Sequence, residues 1–288
     1  MAYIGRFAPS PTGALHFGSL VAALASWLDA RAAGGIWQLR MEDLDRLRER
    51  RGAAATILRQ LEAAGLEWDG PVIYQSARAA RYDHALEQLQ RAGLTYACGC
   101  TRREMADSSL AIDGARIYPG SCRNGLAPGR PARALRLRVP ADPIRFDDRL
   151  QGEIAQSVAR EVGDFVLLRA DGAYAYQLAV VVDDAAQGVT DVVRGADLLD
   201  STPRPILLQR LLGLPTPRYL HLPVALDAVG EKLAKHSGAA STGAGELARA
   251  LRFLGHQPPD ELPVRELLAW AKAHWDIRRI PRRRTMQC

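Results

Sequence analysis

The sequence predicts an α/β fold built on a parallel, doubly wound sheet. Short apolar segments typical of strands alternate with amphipathic helical segments from Tyr3 to about Ala92, and the alternation returns after residue 164. Between these stretches, a region rich in Gly, Pro and Arg breaks the rhythm and indicates an inserted subdomain. With 288 residues, 48% of them apolar, the chain is long enough to bury a substantial core.

The elements of the first half follow from apolar periodicity and turn signals. Leu20, Leu24, Trp27 and Leu28 recur at helical spacing and define the inner face of the first helix. The predicted elements are a strand over 3–7, a helix from Gly18, a strand over 37–41, a helix over about 53–64, a short strand over 72–74 and a helix over about 79–92. Because each strand is followed by a helix, neighbouring strands are expected to run parallel.

The second half resumes the pattern and then becomes helical. It contains the apolar segments 164–169, 175–182 and 189–194 and a helix over 202–212, and helices over 244–254 and 263–274 follow. We therefore expect four parts: 1–95, the first half of the sheet domain; 96–163, the inserted subdomain; 164–240, the second half; and 241–288, a helical C-terminal region.

The turn between the first strand and the first helix has the composition of a phosphate site. It delivers His16 and Gly18 to the helix start, where free N–H groups and the positive dipole end attract anions. Gly18 lets a phosphate approach the backbone, and His16 can donate a hydrogen bond to it. Far along the chain, a polar loop carries Lys232 and Lys235. Each pattern alone fits ordinary surface, but together, at the two ends of an α/β pattern, they favour ATP chemistry.

Three of the four cysteines, Cys98, Cys100 and Cys122, cluster in the inserted region. Clustered thiols in a cytosolic protein favour a metal over a disulfide, and zinc requires a fourth ligand. The local candidates for that ligand are Tyr118 and a water molecule. The alternative is three free thiols in a loop. Cys288 lies alone and has no expected role.

Composition and charge favour a cytoplasmic enzyme with a polyanionic partner. The formal net charge is +6 and the pI about 9.4, although many ordinary proteins are equally basic. No apolar run approaches the roughly 18 residues of a membrane helix, and the first strand begins too early to leave room for a signal peptide. We therefore expect no membrane association.

The motifs resemble those of class I aminoacyl-tRNA synthetases. HFGS at 16–19 and KLAKH at 232–236 resemble the HIGH and KMSKS sequences of that family, which grip ATP. RFAPSPTG at 6–13, LRMEDLD at 39–45 and the block 171–209 resemble its glutamyl branch. The resemblance implies a Rossmann-like catalytic domain, divided by the insertion, that binds ATP with Mg²⁺ and L-glutamate.

The resemblance also implies roles for individual residues. Glutamate carries one cation and two anions, so its pocket needs an acid for the ammonium group and guanidinium for the side-chain carboxylate. The residues matching the glutamate pocket are Arg6, Ala8, Ser10, Glu42, Tyr176 and Arg194. Those matching the ATP site are His16, Gly18, Lys232 and Lys235, of which His16, Gly18 and Lys235 are expected to act in catalysis. Taken singly, each has an ordinary alternative as an ion pair or a core residue.

The short C-terminal part narrows the resemblance to one group of proteins within the glutamyl branch. Only about fifty residues follow the lysine loop, whereas full glutamyl synthetases carry a large anticodon-binding region there. This resembles shortened paralogues of the branch, which attach glutamate to queuosine, a modified base in the anticodon of tRNA(Asp), and whose structural zinc site implies Tyr118 as the fourth ligand here. The arginines at 278, 279, 282, 283 and 284 would hold phosphates or form a disordered tail.

Three functions stay open at this point. The favoured one is a ligase that activates glutamate without tRNA and transfers it to queuosine in tRNA(Asp). A truncated but conventional glutamyl-tRNA synthetase is the second, and a non-catalytic RNA-binding paralogue is the third. Retention of His16, Glu42, Arg194 and Lys235 counts against the third.

Overall fold

The computed structural model describes residues 2–101, 103–105, 108–114, 116–231, 233 and 242–288. Within them, the helices are α1 Phe17–Ala32, α2 Ala53–Ala63, α3 Ala79–Arg91, α4 Val158–Glu161, α5 Tyr176–Ala186, α6 Pro203–Leu212, α7 Ala244–Phe253 and α8 Val264–Ala273. The strands are β1 Ile4–Phe7, β2 Ile36–Met41, β3 Ile73–Tyr74, β4 Thr95–Cys98, β5 Ala134–Leu137, β6 Ile144–Asp148, β7 Gly152–Gln156, β8 Val166–Leu168, β9 Asp191–Gly195, β10 Arg218–Leu222, β11 Val224–Leu226 and β12 Thr285–Gln287.

The main sheet places its strands in the order β3-β2-β1-β9-β10-β6-β7. The first six strands of this order, from β3 at the edge to β6, pair in parallel. Strand β7 pairs antiparallel with β6 and forms a hairpin with it. The predicted parallel α/β sheet is confirmed. The chain builds outward from β1 to β3 and then crosses back to β9, so a crevice forms where the carboxyl ends of β1 and β9 meet.

Helices cover both faces of the sheet. Alternate residues of the central strands enter different cores, as strand geometry requires: Val193 and Leu220 pack in one core, while their neighbours Val192 and Tyr219 pack in the other. The first core lies against α1, α2, α7 and α8, and the second against α3, α5 and α6. The predicted inner face of α1 is in the first core, with Leu20, Leu24 and Leu28 fully buried and Trp27 partly buried.

Strands of the main sheet and strands of a smaller sheet alternate along residues 96–169. A small antiparallel sheet joins β4, β5 and β8, so the apolar segment 164–169 lies in it and not in the main sheet. Conversely, β6 and β7 lie between residues 96 and 163 but complete the main sheet. Segment 175–182 falls in α5, because a short apolar run alone does not distinguish a buried helix from a strand. The division into four parts stays a prediction.

The C-terminal region is folded onto the body of the protein. Helices α7 and α8 form where the sequence predicts them and pack beside α1. After them, β12 pairs in parallel with β11, and the sequence patterns predicted neither of these two strands. The residues at 278–284 are therefore held in place and do not form a disordered tail. In the described part of the chain, no helix has the length and apolarity needed to cross a bilayer.

Candidate active site

A cavity of about 540 Å³ opens at the carboxyl ends of β1 and β9. Its walls come from the β1–α1 loop, the end of β2, the start of α5, β9 and the segment after β11. Every residue predicted to bind glutamate lines this cavity, namely Arg6, Ala8, Ser10, Glu42, Tyr176 and Arg194. His16 and Gly18 line it as well. The fold thus brings residues from distant parts of the sequence to one crevice.

His16 caps the start of α1. Its Nδ1 accepts the backbone N–H of Ser19 at 3.3 Å, and its Nε2 lies 2.9 Å from the Ser19 hydroxyl. Since Nδ1 acts as the acceptor, the proton of the neutral ring is assigned to Nε2. A side chain added at Gly18 would contact the His16 ring at 3.4 Å and approach the Leu233 carbonyl at 4.0 Å. Glycine therefore keeps the cleft between the helix start and the lysine segment open.

Leu233 lies near this helix start. A turn after β11 is closed by a hydrogen bond from the Asp227 N–H to the Glu231 carbonyl, and the Leu233 N–H then donates to the Ala225 carbonyl at 2.9 Å. Leu233 lines the cavity. The predicted ATP ligands Lys232 and Lys235 lie outside the described residues. Leu233, which lies between them in the sequence, marks where the segment meets the cavity.

Arg194 is held by three partners. Its Nε donates to His221 Nε2 at 3.1 Å, Nη1 donates to the Tyr176 hydroxyl at 3.2 Å, and Nη2 donates to the Thr202 hydroxyl at 2.7 Å. On its far side, His221 Nδ1 lies 2.6 Å from a carboxylate oxygen of Asp148. The chain Asp148–His221–Arg194 therefore orients the guanidinium group from behind.

The protonation of His221 follows from its burial. Burial outweighs the attraction of Asp148 and lowers the pKa of His221 to about 4, so the ring is neutral at pH 7. Because Nε2 accepts from Arg194, the ring proton is on Nδ1 and is donated to Asp148. Burial would raise the pKa of Asp148, but its bond to His221 holds that pKa below the usual value. Asp148 is thus ionised and selects the tautomer.

A second buried network lies below the other side of the cavity. Arg40 is fully buried and reaches Asp184 at 2.8 Å and Glu42 at 3.4 Å, while Arg6 reaches Asp184 at 3.4 Å. Burial raises the pKa of Glu42 despite the opposing attraction of Arg40 and Arg6. For Asp184, Arg40 overcomes the effect of burial, and the pKa falls below its usual value. A cation bound beside Glu42 would favour its charged form.

The sequence analysis missed the residues behind the cavity. These are Arg40, Asp148, Asp184, Thr202 and His221, all nearly inaccessible to solvent. A signal for some of them was present: charged or polar residues inside apolar runs, such as His221 in YLHLP and Asp184 in VVVDDAA, have to find partners when buried. The identity of those partners was not readable, because Asp148 and His221 are 73 residues apart.

The predicted metal ligands lie together in the small-sheet region. The sulfurs of Cys98, Cys100 and Cys122 are within 4.8 Å of one another, and Cys100 and Cys122 are 3.6 Å apart. The Tyr118 hydroxyl lies 3.5 Å from the Cys98 sulfur and 3.7 Å from that of Cys100. Tetrahedral zinc with bonds of about 2.3 Å to sulfur and 2.0 Å to oxygen spaces its ligands about 3.8 Å (S···S) and 3.5 Å (S···O) apart. The donor set fits such an ion.

The ionisation tendency differs between the members of this cluster. Although burial opposes ionisation, hydrogen bonding from Tyr118 and the nearby Arg136 guanidinium lower the pKa of Cys98 to about 7. Arg136 lies over the Tyr118 ring, 3.8 Å from its centroid. Thiolate is the form of cysteine that binds metals. Burial raises the pKa of Cys100 and of Tyr118, so a bound cation would have to offset these shifts to ionise either group.

Comparison with known proteins places the chain in a family. Residues 4–250 match the family model described as tRNA synthetases class I (E and Q), catalytic domain. The glutamyl-Q tRNA(Asp) synthetase of Dechloromonas aromatica is 58% identical over 97% of this chain and 96% of its own length. That of Thiobacillus denitrificans is 56% identical over 97% of this chain and 95% of its own length. The chain belongs to the glutamyl-Q tRNA(Asp) synthetase family.

The fold of this glutamyl-Q tRNA(Asp) synthetase family member is shared with longer synthetases. The crystal structure of a glutamate tRNA ligase from Elizabethkingia meningosepticum, in complex with its amino acid, superposes with a TM-score of 0.82. It is 25% identical, and the match covers 100% of this chain and 67% of that one. About a third of the longer ligase lies outside the match.

Proposed function

We propose that this chain activates L-glutamate with ATP, without tRNA, and transfers the glutamyl group to queuosine in the anticodon of tRNA(Asp). One observation carries the proposal: the cavity that holds the matched glutamate-binding residues also receives the start of α1 with His16 and Gly18. An amino acid and the phosphates of ATP would therefore meet in one crevice. Since these substrates are found in the cytoplasm, we also propose that the protein is cytoplasmic.

Glutamate binding uses the two buried networks. Arg194, oriented by His221 and Thr202, offers its remaining N–H groups to the side-chain carboxylate, with Tyr176 beside it. Arg6 adds positive charge, and Ala8 and Ser10 line the wall. Glu42 takes the ammonium group, which would bring its raised pKa down and keep it ionised. The α-carboxylate stays free to react.

Activation is an in-line substitution at phosphorus. An α-carboxylate oxygen of glutamate attacks the α-phosphorus of ATP, the bond to the bridging oxygen of the β-phosphate breaks, and pyrophosphate leaves with the electron pair. The free N–H groups at the start of α1 would donate to the phosphate oxygens, where negative charge accumulates, and His16 Nε2–H would do so in place of its present contact with the Ser19 hydroxyl. Lys232 and Lys235 would neutralise ATP phosphates, with Lys235 on the departing pyrophosphate. Mg²⁺ bound with ATP supplies further neutralisation.

Transfer forms an ester on the base. A hydroxyl oxygen of the queuosine cyclopentene-diol attacks the carbonyl carbon of glutamyl-adenylate, AMP leaves, and the hydroxyl proton passes to the adenylate phosphate. No protein nucleophile is required. In this proposal, the active site meets the anticodon loop directly.

We also propose that each chain binds one structural zinc ion. The three cysteine sulfurs and the Tyr118 hydroxyl have the spacing of a tetrahedral set, and the lowered pKa of Cys98 favours its thiolate. A zinc ion with these four ligands would cross-link the loop segments that carry them. No catalytic step involves it.

The proposed function is tested by locating the product. The protein is incubated with labelled glutamate, ATP and total tRNA, and the label is located by nuclease digestion and mass spectrometry. We expect the label on queuosine of tRNA(Asp), none on tRNA lacking queuosine, and survival of the label after removal of the 3′ terminal adenosine. Label found only on that terminal ribose would show a conventional truncated glutamyl-tRNA synthetase, and no label would indicate a non-catalytic protein.

A further inference from the structure

The loop that follows β2 carries a concentrated positive charge at the mouth of the active-site cavity. Residues 46–51 read RLRERR, with four arginines and one glutamate. Arg48 lines the cavity, and its side chain is 71% exposed. The backbone N–H of Arg50 donates to the Pro11 carbonyl at 3.0 Å, which ties the loop to the β1–α1 segment that forms the cavity wall. The charge is therefore held at the entrance.

Three of these arginines have no side-chain partner in the described part of the chain. Arg46, Arg50 and Arg51 are exposed, and no ion pair or hydrogen bond joins their side chains to any described residue. Arg48 differs, since its Nε lies 2.9 Å from Asp45. Exposed like charges this close repel one another, so an anionic partner would stabilise the loop.

The arginines of the C-terminal segment are mostly engaged with the body of the protein. Arg278 pairs with Asp276 at 2.9 Å, Arg282 donates to the Gln151 carbonyl at 2.7 Å, and Arg284 pairs with Asp200 at 2.9 Å. The Arg282 bond ties the C-terminal segment to the turn between β6 and β7, and the Arg284 pair ties it to the segment that follows β9. Their guanidinium groups serve the fold, so this segment is a poorer candidate for binding phosphates than its composition indicates.

We propose that the loop 46–51 is the surface that holds the phosphate backbone of the tRNA anticodon loop while its modified base enters the cavity. This inference rests on the proposed function and names the contact it requires. A base delivered into the crevice brings its flanking phosphates to the rim, next to Arg48 and the loop that carries Arg46, Arg50 and Arg51. Phosphate contacts of this kind position the nucleic acid and do not read its sequence.

The test compares two double variants of equal charge. Arg50→Gln with Arg51→Gln removes two loop charges, and Arg279→Gln with Arg283→Gln removes the two arginines of the C-terminal segment whose side chains have neither an ion-pair nor a hydrogen-bond partner in the described residues. Glutamate transfer to queuosine-containing tRNA(Asp) is measured from 50 to 400 mM salt, and glutamate-dependent pyrophosphate exchange is measured without tRNA. Wild-type protein is included throughout.

We expect the loop variant to weaken tRNA use while leaving activation unchanged. Each phosphate contact on a single strand contributes about 0.7 to the slope of log affinity against log salt, so losing two contacts flattens that slope by about 1.4 and raises KM for tRNA about 25-fold at 0.1 M salt. The C-terminal variant should change the slope by less than 0.5. Unchanged pyrophosphate exchange shows that the loop variant is folded.

Two results would overturn the inference. One is a loop variant with the wild-type salt slope and KM for tRNA, and the other is an equal loss in both double variants, which would show only a response to net charge. If pyrophosphate exchange falls in the Gln variant, a second variant keeps the charge: Arg50→Lys with Arg51→Lys. This variant should restore both pyrophosphate exchange and the wild-type salt slope. A salt slope that is not restored also counts against the proposed role of the loop. Failure of the wild-type protein itself to label queuosine would refute the proposed function instead.

Discussion

Replacing Asp148 by asparagine should impair glutamate binding from behind the site. The Asp148 oxygen Oδ1 accepts three backbone N–H groups, those of Leu150, Gln151 and His221, at 2.8–3.2 Å. The carbonyl oxygen of the introduced asparagine would keep these bonds, which points its NH₂ group at His221 Nδ1. That nitrogen must then become an acceptor, and the ring proton moves to Nε2. Two donors, His221 Nε2–H and Arg194 Nε–H, would face each other across the present 3.1 Å contact.

The magnitude follows from what Arg194 loses. To relieve the clash, its guanidinium must turn, and at least one hydrogen bond to the substrate carboxylate is lost. A hydrogen bond to a charged group contributes about 1.5–3 kcal/mol. Since about 1.4 kcal/mol corresponds to a factor of ten, KM for glutamate should rise about 10- to 150-fold. The rate at saturating glutamate should change less, because the proposed role of Arg194 is to hold the glutamate side chain.

Glutamate-dependent pyrophosphate exchange measures this effect. The matched control is Asp147→Asn, which removes the same charge from the preceding, exposed position of β6. We expect the control to keep the wild-type KM and both variants to stay folded by thermal unfolding. A folded Asp148→Asn protein with KM for glutamate within twofold of wild type would refute the tautomer argument, and an equal rise in the control would reduce it to an effect of charge.

The remaining predictions concern protonation, metal and activation. The imidazole of His221 should show no NMR titration between pH 8 and 5, because its pKa in the folded protein is about 4. Since this pKa lies below the unfolded value, the free energy of unfolding should fall as the pH drops below about 6.5, by up to about 1.4 kcal/mol per pH unit from this group. Titration of the ring near pH 6.5 would contradict its burial beside Asp148. Protein purified without chelators should hold about one zinc ion per chain, which Cys100→Ser should lose and Cys288→Ser should keep; three freely titratable thiols without zinc would show that the cluster is not a metal site. Lys235→Ala should lower the rate of pyrophosphate exchange more than it changes glutamate affinity, with Lys272→Ala as the silent control, and an unchanged rate would remove Lys235 from the mechanism. Exchange should be much weaker with glutamine, whose neutral amide forms no ion pair with guanidinium; equal exchange would refute the pocket assignment.

Much of this protein was readable from local sequence. The helix start at HFGS, the cysteine spacing and the alternation of the first six elements all depend on residues close to one another in the chain. Such patterns work because turn chemistry, helix capping and side-chain periodicity act over a few residues. The residues matched to the glutamate pocket were also placed in one cavity, although their individual roles stay predictions.

The sequence by itself determined the fold class, the family and several of the residues that line the cavity. Only the tertiary structure decided what lies behind that surface: Asp148 under His221, Arg40 beside Asp184, and the hairpin β6–β7 at the edge of the main sheet. Those partners are far apart in the chain, and their charges are tolerated in the interior only because folding brings a counter-charge or a hydrogen-bond acceptor to each. The same holds for the arginines, since exposed and engaged guanidinium groups look alike in the sequence until folding gives some of them partners.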